Sequence, residues 1–291
     1  MMEKNMFLKK ALAVLLALCV VFGANACALA AFAGDEEVDY LLMGDSIAEG
    51  YGVSNPDEAS YGAIVANTNG YNYHNIARSA RTSGKLLEQI TEKEDVRELI
   101  ADAEIISLSI GGNDYFTDRD IVAMAAGLVF GVELPKYKQL TVQMAENFAK
   151  IIETIKELNP DVLILVQTVY CSWYGILGNA YMHGTNSVNK VIYDYLEENP
   201  GAFEIVDVAS AMNGHKEYIA IDTVHPNGEG NVVIARLVLA KLNELGLSEN
   251  TEPVIIAEGI GYDYYIQEYG EFAGRIFGFI VRLATGHNVF V

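Results

Sequence analysis

Cysteine is nearly absent from this chain, with three in 291 residues: Cys19, Cys27 and Cys171. Two of them fall in the first 33 residues, so a chain shortened there keeps one thiol and cannot close an internal disulfide. Packing must then supply the stability. Positive charge is scarce as well. Nineteen Lys and Arg stand against 39 Asp and Glu, a formal charge of −20, and no Lys/Arg cluster interrupts the excess. A polyanion would be repelled, which argues against nucleic acid as a partner. His74, His183, His215 and His287 are scattered without the mutual spacing of a metal site. Internal repeats and low-complexity segments are missing too. Apolar side chains, by contrast, make up 51% of the residues, enough for one substantial core and one main domain.

The N-terminus reads as a separate unit. Lys4, Lys9 and Lys10 precede an apolar run at residues 11–24, and small residues fill 26–33. That order of charge, hydrophobic segment and cleavage zone is the pattern of a secretory signal. Ala31-Phe32-Ala33 before Gly34 supplies an A-x-A site, with Ala28-Leu29-Ala30 as the alternative. An uncleaved membrane anchor competes with this reading, because the apolar stretch approaches the ~20 residues that span a bilayer. A lipid-modified Cys27 is disfavoured, since Ala24-Asn25-Ala26 lacks the leucine usual three residues before such a cysteine. Removing residues 1–33 takes away three Lys and one Glu and leaves −22, an acidity suited to solubility outside a cell.

Beyond the leader, short apolar runs alternate with helical periodicity. Strands are expected at residues 38–43, 71–77, 105–110, 162–169 and 203–208, and helices at 86–101, 140–158, 187–198 and 231–245. Pro160-Asp161 and Pro200-Gly201 stop two of these helices. The alternation implies an α/β fold, a five-stranded parallel sheet covered on both faces. In such sheets ligands bind beyond the carboxyl ends of the strands. Four strand ends here carry chemistry-capable residues. They are Gly44-Asp45-Ser46, the stretch from Asn75 through Ser79 and Ala80, Gly111-Gly112-Asn113-Asp114, and Asp222-Thr223-Val224-His225-Pro226-Asn227.

A serine hydroxyl becomes a useful nucleophile only when a base takes its proton, and the base needs a third group to hold its tautomer. Asp222 and His225, three residues apart, can meet on a turn, and Pro226 biases His225 away from the α region. Asp222 is therefore expected to orient His225, and His225 to deprotonate Ser46. The oxyanion of a tetrahedral intermediate would take hydrogen bonds from the Asn113 side chain and from the backbone N–H groups of Ser46 and Ala80.

These blocks resemble those of the SGNH/GDSL hydrolase superfamily. Gly44-Asp45-Ser46-Ile47 is similar to its first block and residues 75–82 to its second. Gly111-Gly112-Asn113-Asp114 is similar to its third, and Asp222-x-x-His225-Pro226-Asn227 to its last. The likeness runs over roughly residues 38–245 in the right order. It implies a flavodoxin-like three-layer α/β/α sandwich that hydrolyses esters or thioesters through an acyl-serine, with no metal or cofactor. One departure stands out, since Ala77 and Ala80 occupy the places of two second-block glycines. Ala80 keeps its N–H but loses cheap access to positive φ.

The remaining features carry expectations of their own. Asp45 and Asp114 read as structural, and Cys171 as a small packed residue or pocket lining. Tyr170, Trp173, Tyr174 and Tyr181 are expected on a loop near the crevice, as acyl or sugar contacts or as core closure. Residues 115–139 form a long connection whose apolar part, 123–132, is either a lid over the site or a peripheral helix. Residues 34–247 make the hydrolase domain. Residues 248–291 form an extension whose apolar helix, 272–283, packs on the domain or on a second copy, or else rests on lipid as a peripheral membrane contact. The substrate is expected to be a small acyl ester, a lipid or an acetylated glycan. A non-catalytic binding module and an acyltransferase with the same triad are the alternatives.

Overall fold

The computed structural model of the protein describes residues 37–116, 121–173, 175–220 and 222–257. The expected signal, Cys19, Cys27, Tyr174, His287 and the apolar helix at 272–283 lie outside the described residues. The sheet contains β1 (Asp39–Gly44), β2 (Asn72–Asn75), β3 (Ile105–Ser109), β4 (Leu163–Gln167) and β5 (Glu204–Val206). The strands are parallel throughout, in the order β2-β1-β3-β4-β5, the flavodoxin-like order of doubly wound sheets. The main helices are α1 (Ser46–Glu49), α2 (Tyr61–Asn69), α3 (Ser83–Glu92), α4 (Glu94–Asp102), α5 (Ile121–Val129), α6 (Pro135–Leu158), α7 (Gly175–Glu198) and α8 (Gly228–Glu244).

Successive strand side chains point to opposite faces, and each face buries one core. Leu41, Met43, Ile106, Leu108, Ile164 and Val166 meet Leu86, Ile100, Phe148 and Ile152 from α3, α4 and α6. Tyr40, Leu42, Ile105, Leu165 and Val206 meet Ile64 and Val65 of α2 and Ile234, Val238 and Leu239 of α8. The result is the three-layer α/β/α sandwich, with the strand ends opening on one side.

The structure departs from the sequence expectations at definite places. The helix expected over 86–101 is two helices, broken at Lys93 (φ −96°, ψ 115°). Ile90 and Val96 are both buried but six residues apart. On one continuous helix that spacing sets them about 120° apart, and the break restores both to the core. Helix α2 was not foreseen. It is buried from Tyr61 through Ala66, so no polar face sets a period in the sequence. Its ends are nevertheless marked, by the Ser60 oxygen accepting from Ala63 N and by Gly70 in the left-handed region. Helix α7 starts at Gly175, a dozen residues before 187, so Tyr181 sits on a helix and not on a loop.

Helix α6 likewise starts early, at Pro135, whose fixed φ suits a first turn. The connection over 115–139 contains α5, which packs on α7. Helix α5 closes in a Schellman turn. Val132 N bonds to Gly127 O (2.8 Å) and Gly131 N to Leu128 O (3.0 Å), with Gly131 at φ 73°.

One buried side chain ties α2 to the loop that carries His225. Asn231, fully buried, accepts from Tyr61 N at 3.0 Å and donates to Pro226 O (3.3 Å) and Asn227 O (3.0 Å). Asn231→Ala strands these buried partners, and urea denaturation should show a loss of about 2–3 kcal/mol with an unchanged m-value.

Candidate active site

β1 ends where it crosses the end of β3. Gly44 has φ +143°, and a Cβ there would lie 2.1 Å from the Ser109 carbonyl oxygen. Only glycine fits. The close approach lets Asp45 N donate to Ser109 O (3.1 Å), and the chain then turns at once into α1 with Ser46 as its first residue. Being first, Ser46 has a backbone N–H with no intrahelical acceptor. The Asp45 carboxylate caps the helix by accepting from Ile47 N at 3.0 Å.

His225 comes from the far end of the chain and meets Ser46. Its Nε2 lies 2.8 Å from Ser46 Oγ, and its Nδ1 lies 2.6 Å from Asp222 Oδ2. The other Asp222 oxygen accepts from Val224 N (2.9 Å) and His225 N (3.0 Å), closing a tight turn in which Thr223 takes φ 67°. Tyr170 donates its hydroxyl to Val224 O at 2.6 Å, which makes it a brace of this turn and not a pocket contact. The Tyr51 ring packs 4.6 Å from the imidazole. Gly52 (φ +109°) runs beside Pro226, where a Cβ would strike the Pro226 carbonyl oxygen at 2.6 Å.

The third component is the turn after β2. Ala80 adopts φ 58°, so the residue that replaces a glycine does take the left-handed conformation at a steric cost. Ala77 needs no such angle, and its methyl is buried in the core beside α2 and α8. Glu49 of α1 holds the turn by accepting from both Ser79 N (2.6 Å) and the Ser79 hydroxyl. Asn113 donates to Arg81 O (3.2 Å), and Asp114 accepts from Ser83 N (2.9 Å). Ser46, Tyr51, Ala80, Asn113, Asp222 and His225 thereby line one pocket of about 450 Å³, with Phe116 and Trp173 at its side.

Burial shapes the electrostatics. Burial alone would raise the Asp222 carboxyl, but the His225 hydrogen bond and charge and two backbone N–H groups outweigh it, and the group stays below the ordinary carboxylate range. Asp45 goes the other way. Burial pushes it up to about 7 against the Ile47 N–H and the nearby His225. Cys171 is buried, and burial raises its thiol, which keeps it protonated and inert as a nucleophile. Among the described residues no group of three or more His, Cys, Asp or Glu is arranged to hold a metal ion.

The sequence pattern of the GDSL-like lipase/acylhydrolase family matches residues 42–233. The chain belongs to that family. Its solved relatives share the fold at low identity. A lipase from a goat rumen metagenome is 18% identical with a TM-score of 0.56, covering 73% of this chain and 99% of the other. An acetylxylan esterase from Geobacillus stearothermophilus is 19% identical (TM-score 0.51; 74% and 98% covered). A phospholipase A1 from Streptomyces albidoflavus is 14% identical (TM-score 0.52; 71% and 100% covered). No curated protein matches in sequence. The protein is thus a GDSL-type ester hydrolase.

In this GDSL hydrolase the residues expected to converge do so: Ser46, His225 and Asp222 form one hydrogen-bonded chain, with Ala80 and Asn113 beside it. Sequence reasoning missed Glu49, Tyr51 and Gly52. Gly52 is a glycine near the first block and had a weak local signal. Glu49 had none, because its partner Ser79 is brought to it only by the pairing of β2 with β1.

Two substitutions test the local energetics. Ala80→Gly removes the left-handed strain and should raise stability by about 1 kcal/mol in chemical denaturation. The Asp45 carboxyl lies higher when folded (about 7) than its ordinary 3.8. The native state therefore holds the extra proton, and this group's contribution to stability falls as pH rises from 4 to 7. Asp45→Asn keeps the cap acceptor without the charge. It should be more stable than wild type at pH 8, with the gap closing toward pH 4 in thermal melts.

Proposed function

We propose that the protein hydrolyses carboxylic esters through an acyl-Ser46 intermediate. The observation that carries this reading is the continuous chain from Ser46 Oγ to His225 Nε2 (2.8 Å) and from His225 Nδ1 to Asp222 (2.6 Å). Ser46 Oγ attacks the ester carbonyl carbon while its proton passes to His225 Nε2. The ionised Asp222 holds the tautomer and stabilises the imidazolium. The oxyanion accepts from the N–H groups of Ser46 and Ala80 and from Asn113 Nδ2, one of whose hydrogens is already fixed on Arg81 O. As the tetrahedral adduct collapses, His225 returns the proton to the leaving alkoxide, and alcohol departs. Water then loses a proton to His225 and attacks the acyl carbon. Breakdown of that adduct releases the carboxylic acid and restores Ser46.

Export belongs to the same reading. The basic, apolar and small-residue order of residues 1–33 supports cleavage after Ala33, and protein recovered from culture medium should then begin at Gly34 by intact mass. A chain found only with the cells and still carrying residues 1–33 would overturn that part.

The chemistry is tested with p-nitrophenyl esters and a fluorophosphonate label. Ser46→Ala should abolish labelling and turnover together. Asp222→Asn should lower kcat by about 10⁴. Asn113→Ala should lower it by about 10²–10³ with labelling retained. Full esterase activity in Ser46→Ala would refute the assignment. Product partitioning toward added sugar acceptors would show acyl transfer in place of hydrolysis.

A further inference from the structure

Beside the Ser46 pocket lies a second cavity of about 510 Å³. The two share Phe116 and Trp173 in their walls, so the second cavity adjoins the first at those side chains. Met124 and Leu128 of α5 form its roof, and Ala180, Gly184 and Val188 of α7 its wall. The lining is apolar even where residues carry hydroxyls. Tyr137 donates to Ser187 Oγ (2.7 Å), Tyr115 pairs with Thr141 (2.9 Å) and Thr185 donates to Met182 O (3.2 Å). These three hydroxyls are tied to protein, and their rings and methyl are left as lining. The shared wall is aromatic and backed by Tyr181, whose ring lies 4.7 Å from Phe116 and stacks 5.4 Å from Trp173.

On this evidence we propose that the cavity beneath α5 is an acyl-chain chamber and that the enzyme prefers medium to long acyl groups over acetyl. An acetyl group would leave about 510 Å³ of apolar space unfilled, a volume within the range of pockets that enclose a sizeable ligand. A glycan would find a mostly apolar lining whose Tyr115, Tyr137 and Thr185 hydroxyls are already bonded to protein, and would lose most of its hydration without replacement. The outer side of the roof points the same way. Phe130 and Val132 are exposed at the end of α5, so a lipid ester meets apolar surface outside the chamber as well as within it. The loop expected as a lid therefore roofs the acyl side, and none of the α5 residues lines the Ser46 pocket itself.

This inference rests on the acyl-Ser46 reading, and its test separates the two. Burial of one methylene accelerates turnover by up to about fourfold. Half that free energy across the six methylenes from acetate to octanoate gives about a 60-fold rise in kcat/KM for p-nitrophenyl esters. A Cβ on Gly184 meets nothing within 4 Å, so Gly184→Phe fills the chamber from a helix that gains propensity by the change. The octanoate-to-acetate ratio should fall at least tenfold in that variant, with melting temperature and fluorophosphonate labelling reporting an intact fold and site.

Dodecanoate should bind Ser46→Ala protein in calorimetry and fail to bind the Ser46→Ala, Gly184→Phe double variant. A flat or falling chain-length profile in enzyme that cleaves acetate would overturn the chamber, as would absence of dodecanoate binding to Ser46→Ala. If no ester of any length is cleaved and Ser46 stays unlabelled, the hydrolytic mechanism fails, while dodecanoate binding still judges the chamber alone.

Discussion

The contact between Gly44 and the Ser109 carbonyl oxygen leaves no room for a side chain at the end of β1. β1 and β3 are hydrogen-bonded neighbours up to that point, and a side chain on residue 44 would force them apart. Without one, the chain bends across the end of β3 and begins α1 at Ser46, with Asp45 N anchored on Ser109 O. The hydroxyl of Ser46 is thus displayed at the sheet end by backbone geometry and not by its own rotamer alone. The other site groups are placed relative to it. Glu49 reaches the Ala80 turn from α1, and Tyr51 and Gly52 follow α1 against His225.

Several of these placements put polar or strained groups where a stability-driven chain would not. Ala80 and Thr223 hold positive φ, Asp45 is a buried carboxyl, and Asp222 is kept charged at low exposure by four compensating interactions. Ala80 and Asp222 line the Ser46 pocket, and Asp45 and Thr223 are each next in the chain to a residue that does. The surrounding structure is correspondingly over-determined: two cores flank the sheet, and Asn231 and Tyr170 brace the loop of His225 from opposite elements. Strain is tolerated because the neighbouring elements leave the loops little room to relax.

The fold and the main site residues were readable in the chain because they depend on local pattern. Strand runs such as residues 105–110 carry Ile or Leu on both faces since both faces of the sheet are covered. The blocks around Ser46 and Asn113 follow strands directly and so mark the carboxyl edge, and the His225 block stands just before the last helix. Features without a local pattern escaped. Helix α2 has no polar face to betray its period. The break at Lys93 shows only when Ile90 and Val96 are asked to share one core. The start of α7 is hidden among Gly and aromatic residues, so the sequence around Tyr181 shows no helical period.

What the sequence by itself determined is the alternation of strands and helices and the blocks that carry Ser46, Asn113, Asp222 and His225, because periodicity and residue chemistry are properties of short segments. Only the tertiary structure decided that the Ala80 turn is clamped by Glu49 and that an apolar cavity adjoins the Ser46 pocket. Contacts between residues far apart in the chain, and the space left between packed helices, follow from how whole elements lie against one another. No local stretch of sequence encodes a volume bounded by α5 on one side and α7 on the other.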